Sequence, residues 1–190
     1  INLKENEYEE IIKKKDEKGA DISKAMISNM RNILKSVFLT RDEVSDLVYF
    51  VEDDYLHKEN AISEMLFTFE KIASQINQDI FICPADYPYL YSKIEDTKIF
   101  IGNKIHWRTV RETLITFLTS KKMVLKHWDN FISLGTTRHH PMEKKLHEIY
   151  EKEYCFSPIP SLAMHTTNIN SAYGIPPNYD WKKNWEDNEI

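Results

Sequence analysis

Three consecutive acids follow a short apolar segment near residue 50. Residues 47–51 read LVYFV, and Glu52, Asp53 and Asp54 come directly after them. Adjacent like charges repel one another, and taking any of these carboxylates out of water without a partner costs several kcal/mol or shifts its pKa. The triplet therefore either lies in solvent at a turn or faces a cation.

The spacing of the acids favours the cation. Alternation along an extended segment points Glu52 and Asp54 to one side and Asp53 to the other. Carboxylate oxygens are preferred ligands of hard divalent cations, and substrate phosphates often complete the coordination shell. We predict that Glu52 and Asp54 address one Mn²⁺ or Mg²⁺ ion, and that Glu52 and Asp53 contact the ribose or phosphate of a substrate.

A histidine far along the chain is the candidate that completes this site. His165 lies in the segment SPIPSLAMHTTN, after a proline-punctuated extended stretch. Mn²⁺ accepts mixed imidazole and carboxylate ligands, and two carboxylates leave its shell open. A lone histidine is more often an ordinary surface or core residue, and that interpretation is the alternative.

Residues 106–112, HWRTVRE, combine an aromatic ring, two guanidinium groups and an acid. Trp107 is a candidate for stacking on a sugar. Arg108 or Arg111 is a candidate for clamping a diphosphate, because guanidinium groups match phosphate geometry. Glu112 is a candidate general base. The alternative is a core tryptophan beside a solvated helix start.

The segment ADYPYLY, residues 85–91, follows a second apolar run, DIFICP. Asp86 lies where that run ends and competes with Glu112 for the role of general base. Tyr87 either packs in the core or lines a sugar subsite. By contrast, the basic loop TTRHHP at 136–141 is predicted to be mobile and exposed, with no role in the site.

The elements that must position these residues follow from periodicity. Apolar residues at helical spacing predict helices over 22–37 and 62–76. The runs at 47–51 and 79–84 have the composition of strands buried on both faces. Helix, strand, helix, strand is typical of a parallel α/β sheet, whose ligands bind outside the carboxyl ends of the strands. The acid triplet follows the carboxyl end of the first predicted strand, and Asp86 follows that of the second.

Downstream patterns are more varied. Residues 97–107 predict a strand or a hairpin around Gly102, and helices are predicted over 108–120, 123–133 and 142–154. The tail from 155 to 190, rich in proline, asparagine and tryptophan, is predicted to wrap around the domain without regular elements. We interpret the 190 residues as one domain.

Composition excludes several classes. The net charge of −5 lacks the basic surplus of a general nucleic-acid binder. Cys83 and Cys155 form no CxxC pair, so neither a zinc ribbon nor a disulfide framework is indicated, and a cytoplasmic location is expected. The four isolated glycines exclude a phosphate-binding Gly-rich loop. No apolar run approaches the roughly 18 residues of a membrane span.

Together these segments resemble a known family. VYFVEDDYLH resembles the strand and DxD-type motif of nucleotide-sugar-dependent glycosyltransferases with the GT-A fold. The segments ADYPYLY, HWRTVRETLITF and MHTT extend the likeness over residues 19–167, toward a chlorella-virus glycosyltransferase domain and related small viral and bacterial enzymes. The resemblance implies a GT-A-like, Rossmann-like fold with a mixed, mostly parallel sheet flanked by helices.

The resemblance also implies an activity. It is the inverting transfer of a sugar from a nucleoside diphosphate sugar to a glycan acceptor, with Mn²⁺ or Mg²⁺ holding the diphosphate. Asp54 would be the direct metal ligand, Glu52 its partner and His165 the late third ligand. Two other classes stay open: a metal-dependent nucleotidyltransferase or phosphohydrolase that uses the same acids, and a non-catalytic binding domain.

One departure from the family pattern concerns the start of the chain. GT-A enzymes place βαβ units that bind the nucleobase before the DxD strand. Residues 1–46 leave room for one helix and show no convincing strand, whereas a βαβ unit takes about 30 residues or more. We therefore expect the nucleotide-binding strands to lie outside this chain, so the donor base is not predicted.

Overall fold

The computed structural model describes residues 10–167 and 169–189. Its elements are, in chain order, α1 (Lys24–Glu43), β1 (Leu47–Phe50), β2 (Tyr55–His57), α2 (Ala61–Ile76), β3 (Phe81–Ile82), a 3₁₀ helix (Pro88–Tyr91), β4 (Ile99–Ile101), β5 (His106–Val110), β6 (Phe117–Ser120), α3 (Lys121–Lys126), α4 (Trp128–Thr136), α5 (Lys144–Tyr150), β7 (Cys155–Ile159), β8 (Ala163–His165) and α6 (Trp181–Asn188). Within the described ranges, none of these helices combines the length and apolar character needed to pass through a lipid bilayer.

The chain divides into two compact units. The helical unit comprises Ile1–Val48 and Ser120–Lys152. The sheet unit comprises Tyr49–Thr119 and Glu153–Ile190. Every candidate site residue named above belongs to the sheet unit. The expectation of one domain that lacks its nucleotide-binding strands stays a prediction.

The helical unit is built around α1. Its buried residues Met30, Leu34 and Phe38 form a cluster with Ile12, which accounts for the apolar period of this segment. The helix predicted over 22–37 is confirmed and continues to Glu43. The predicted helix over 123–133 is interrupted and forms α3 and α4, and α5 falls within the helix predicted over 142–154.

The prediction that the loop at 136–141 is mobile and exposed is partly wrong. His139 is 5% exposed. Its ring nitrogens lie 2.9 Å from the Ser133 hydroxyl and 3.1 Å from a Glu17 carboxylate oxygen. A histidine held by two polar partners is an ordered, satisfied side chain, so this histidine belongs to the packing of the helical unit.

A six-stranded sheet has the order β1-β6-β3-β7-β5-β4. β3 and β7 are parallel, whereas the β3–β6, β5–β7 and β4–β5 pairs are antiparallel. The α/β class is confirmed, but the mostly parallel sheet is wrong. The reason is that residues predicted as a helix, 108–120, contribute to strands β5 and β6, which antiparallel pairing brings into the sheet.

The tail also forms regular elements. β7 lies between β3 and β5, β8 pairs with β2 in a second, two-stranded sheet, and α6 follows. The prediction of an unstructured tail is therefore wrong. Its prolines do not prevent this, since Pro158 sits in β7 opposite Trp107.

The elements predicted before residue 108 agree better with the structure than those predicted after it. α2 matches the predicted helix, and β4 and β5 form the predicted hairpin around Gly102. A Cβ at Gly102 would lie 2.3 Å from Trp107 Nε1, so the hairpin needs glycine there. β3 is fully buried as predicted, but the first three residues of β1 are only half-buried.

Candidate functional site

The two-stranded sheet brings two predicted metal ligands together. β2 pairs antiparallel with β8, with Tyr55 opposite His165. Asp54, which directly precedes β2, places its Oδ2 at 3.0 Å from His165 Nε2. Their side chains are 32% and 14% exposed, so the pair is partly withdrawn from solvent. Strand pairing across more than a hundred residues thus joins the acid triplet to the late histidine.

The two threonines after His165 fix the orientation of Asp54. Thr166 donates from its backbone N–H and from its hydroxyl to the Asp54 carbonyl, at 2.7 and 2.8 Å. Thr167 donates from Oγ1 to Asp54 Oδ2 at 2.5 Å. Sequence reasoning missed these residues. Their signal was two hydroxyl side chains directly after a candidate ligand, in the segment MHTT.

Two polar atoms of this pair have no partner. Asp54 Oδ1 and His165 Nδ1 are both buried, and neither forms a hydrogen bond with a residue that the structure describes. Leaving such an atom unsatisfied costs about 1–3 kcal/mol, so a bound species that contacts it is favoured. A carboxylate oxygen and an imidazole nitrogen are donors that Mn²⁺ accepts. Asp54 and His165 therefore offer donor types that such a cation takes. His165 Nδ1 points away from Asp54 when Nε2 faces Oδ2, so a single ion contacts both residues only when Nε2 and Oδ2 separate.

The other acids of the triplet are placed differently. The Glu52 carboxylate is 3.4 Å from the Thr116 hydroxyl, which also accepts from the Glu52 N–H at 3.1 Å. In the described part of the chain, no three or more His, Cys, Asp or Glu side chains form a group that could hold a metal. Glu52 thus does not join Asp54 and His165 in such a group. Asp53 is exposed.

Asp86 is buried in a polar network. It is 2% exposed, and Arg108 Nη2 donates to its Oδ1 at 2.7 Å. The Tyr91 hydroxyl donates to Oδ2, and the Ser157 hydroxyl lies 3.5 Å from Oδ1. Both carboxylate oxygens are therefore occupied. This arrangement does not fit Asp86 as a free general base or Arg108 as a diphosphate clamp, because each is already the partner of the other.

The two aromatic candidates are core residues. Trp107 and Tyr87 are both 0% exposed. Trp107 Nε1 lies 3.5 Å from a Glu64 carboxylate oxygen, and the Tyr87 hydroxyl is 2.5 Å from that of Tyr55. Burial raises the pKa of Tyr87 well above its ordinary value. A sugar cannot stack on a ring without exposed surface, so core packing, the alternative stated for each, is the better interpretation.

Glu112 and Arg111 lie after β5, in the connection to β6. Arg111 is exposed. A Glu112 carboxylate oxygen is 2.6 Å from Lys93 Nζ, and the two side chains are 31% and 51% exposed. The hydrogen bond to Glu112 is the main cause of a raised pKa at Lys93. These candidates, unlike Asp86, stay accessible to a substrate.

A half-buried histidine and tyrosine lie on the same face of β2 as Tyr55. The Tyr49 hydroxyl is 2.5 Å from His57 Nε2. Burial lowers the pKa of His57 and raises that of Tyr49, so both are neutral at pH 7. The Tyr55 ring lies with its centroid 5.1 Å from that of His165. The Asp54–His165 pair therefore stands against a largely neutral, aromatic background.

Comparisons with known proteins leave the function open. A scan against protein-family models finds no match to this chain, and a search of curated proteins finds no similar sequence. A function is therefore supported by the geometry of the Asp54–His165 pair, the accessibility of Arg111 and Glu112, and the resemblance of the sequence to glycosyltransferases.

Proposed function

We propose that the sheet unit carries the metal-dependent centre of a glycosyltransferase, which moves a sugar from a nucleoside diphosphate sugar to a glycan. The observation that supports this most is the Asp54–His165 pair, with a separation of 3.0 Å and one buried, unpartnered polar atom on each residue. Asp54 and His165 would hold Mn²⁺ or Mg²⁺. Such an ion neutralises the charge that develops on a departing diphosphate.

The surrounding residues have assigned roles in this proposal. Thr167 holds the Asp54 carboxylate in one orientation through its hydrogen bond to Oδ2. Glu52 and Asp53 are placed beside the pair in sequence and would contact the ribose or phosphate of the donor. Arg111 is exposed and would bind the diphosphate, since Arg108 is engaged by Asp86.

Glu112 is our choice for the general base. It is accessible, whereas both oxygens of Asp86 accept hydrogen bonds. Glu112 would take the proton from an acceptor hydroxyl as that oxygen bonds to the anomeric carbon. The bond from this carbon to the diphosphate oxygen breaks on the opposite face, and the diphosphate leaves with the electron pair. Transfer in this geometry inverts the anomeric configuration.

Calorimetric titration tests the proposal. The full-length natural protein, which would include the expected nucleotide-binding strands, would be titrated with Mn²⁺ together with a panel of nucleoside diphosphates, in parallel with Asp54→Asn and with Glu70→Gln, an exposed acid on α2, as the charge-matched control. We expect metal-dependent binding of one nucleotide, weakened about 100-fold or more by Asp54→Asn and unchanged in the control. Thermal unfolding would verify that the variants fold.

Two outcomes would overturn this function. If no nucleoside diphosphate binds with or without metal, the acid triplet is a charged turn and the chain is better interpreted as a non-catalytic domain. If a nucleotide sugar is cleaved with release of phosphate in the absence of any acceptor, the same acids serve a phosphohydrolase. Product analysis with an added acceptor separates these two outcomes from sugar transfer.

A further inference from the structure

A polar cavity lies at the other end of the strand that begins beside Asp54. It is open to solvent on one side, has a volume of about 470 Å³, and is lined by residues 58–60, which follow β2, and by residues within 178–188, in and before α6. This volume is within the range of about 300–1,000 Å³ that is usual for ligand sites. The lining consists of lysine, asparagine, aspartate and glutamate side chains.

The wall formed by α6 is fastened to β2. Asn188 donates from Nδ2 to the His57 carbonyl at 3.2 Å, and the Tyr179 hydroxyl donates to the Leu56 carbonyl at 3.3 Å. Lys58 is four residues from Asp54, a distance of at most about 14 Å along an extended chain. The cavity is thus a fixed feature of the sheet unit, within reach of an oligosaccharide that also contacts Asp54.

Within residues 10–167 and 169–189, the charged groups that line the cavity form no ion pairs, and Asp180 accepts from the Lys183 backbone N–H at 3.1 Å. Lys183 and Asp187 are four residues apart on α6, the spacing at which side chains meet. Neither forms an ion pair or a side-chain hydrogen bond with any residue that the structure describes. Lys58 Nζ lies 4.7 Å from the Tyr179 ring centroid, and burial lowers the pKa of Lys58. The side chains of Lys183 and Asp187 are therefore available to a ligand.

We infer that this cavity binds the sugar units of the acceptor glycan, an inference that rests on the proposed function. Sugar hydroxyls both donate and accept hydrogen bonds, which matches a lining of ammonium, carboxylate and amide groups. The diphosphate of the donor does not match it, because three carboxylates line the cavity against two ammonium groups. The acceptor is therefore the substrate that fits.

Binding of the full chain to an array of defined oligosaccharides tests this inference. The test variant combines Lys183→Met with Asp187→Asn. The control combines Lys182→Met with Glu186→Gln, which removes the same charges from exposed α6 positions outside the cavity lining. For each glycan that the chain retains, we expect about ten-fold weaker binding or more in the test variant and unchanged binding in the control.

The outcomes distinguish this inference from the proposed function. It is overturned if the chain retains no glycan, or if the test variant and the control bind equally well. Mn²⁺-dependent nucleotide binding without glycan binding would remove the cavity assignment alone. Glycan binding that depends on Lys183 and Asp187, without any nucleotide binding, would keep the cavity as a glycan site and remove the transferase function.

Discussion

Two carboxylates in the sheet unit, each facing a nitrogen-bearing side chain, differ in how many of their polar atoms have hydrogen-bond partners. Asp86 and Arg108 are 2.7 Å apart, with side chains 3% and 12% exposed, and the second Asp86 oxygen accepts from Tyr91. Asp54 and His165 are 3.0 Å apart and more exposed, and Asp54 Oδ1 and His165 Nδ1 have no partner among the described residues. In the first pair only Arg108 Nε is left unpartnered. A carboxylate with both oxygens occupied stabilises a fold, whereas one with a spare oxygen can bind a ligand.

The two acids have similar local sequences. Each follows an apolar run that forms a strand, β1 before Asp54 and β3 before Asp86. What differs is the partner that tertiary structure supplies, which is Arg108 from β5 in one case and His165 from β8 in the other. Acids after strands are therefore candidates for a site, and their partners decide between structural and functional roles.

Breaking the Asp86–Arg108 pair, here called the saturated pair because both carboxylate oxygens accept hydrogen bonds, should have the largest effect on stability. Asp86→Ala leaves the buried Arg108 guanidinium without its carboxylate, and we expect the free energy of unfolding to fall by about 3 kcal/mol. Urea denaturation measures this loss. Asp96→Ala, at an exposed position, is the control and should change stability by less than about 0.5 kcal/mol. A loss below about 1 kcal/mol for Asp86→Ala would contradict the structural role.

Removing a hydrogen bond from the Asp54–His165 pair, here called the open pair because each residue keeps an unpartnered atom, should weaken metal binding and leave stability nearly unchanged. Thr167→Val removes the hydroxyl that donates to Asp54 Oδ2, and we expect Mn²⁺ to bind about ten-fold more weakly. Electron paramagnetic resonance of free Mn²⁺ measures this affinity. Thr97→Val, which removes an exposed hydroxyl bonded to the Thr109 carbonyl, is the matched control. Equal Mn²⁺ affinity in both variants would show that Thr167 does not position Asp54.

The saturated pair should also be sensitive to high pH through Tyr91. Tyr91 is 51% exposed, but partial burial and the hydrogen bond from its hydroxyl to Asp86 raise its pKa from 10.0 to about 12. Between pH 10 and pH 12 the unfolded chain loses this proton while the folded chain keeps it, so the free energy of unfolding falls as the pH rises through this window. Below pH 10 the contribution is constant.

Tyr91→Phe removes the titrating hydroxyl and should flatten that part of the pH profile. Denaturant unfolding at a series of alkaline pH values measures the slope. Tyr173→Phe, at a tyrosine exposed to a similar extent (46% against 51% for Tyr91), is the control and should leave the slope unchanged. An identical slope in the Tyr91→Phe protein would mean that other tyrosines cause the alkaline loss of stability.

The smallest effect is expected at an exposed pair, Lys93 and Glu112. Their side chains are 51% and 31% exposed, and surface ion pairs contribute about 0–1 kcal/mol. Lys93→Met should therefore change the free energy of unfolding by less than about 1 kcal/mol in urea denaturation. A larger loss would place Glu112 with Asp86 among the structural carboxylates and argue against its role as a base.

Sequence patterns predicted the fold well where the period was local. α2 and the hairpin at Gly102 match their predictions because a single amphipathic face or a single turn specifies them. The segment 108–120 failed although its apolar residues have helical spacing. It is rich in threonine and other β-branched residues, and its end, β6, lies between β1 and β3 with all four residues buried. Sheet packing overrode the helical period.

The candidate site divides in the same way. Residue type and alternation selected Asp54 and His165, and the structure brings these two together. The same reasoning selected Trp107 and Tyr87, which are fully buried. An aromatic residue is equally suited to a core and to a sugar subsite, so its type alone carries no information on exposure.

The sequence by itself determined the α/β class, the acids at the ends of apolar strands and the absence of a Gly-rich phosphate loop, because composition and local spacing specify them. Only the tertiary structure decided which acid keeps unpartnered atoms. Pairing of β2 with β8 brings His165 and Thr167 to Asp54, while β5 brings Arg108 to Asp86. Such partners are distant in sequence, and the burial of whole strands selects them rather than any local preference of the chain.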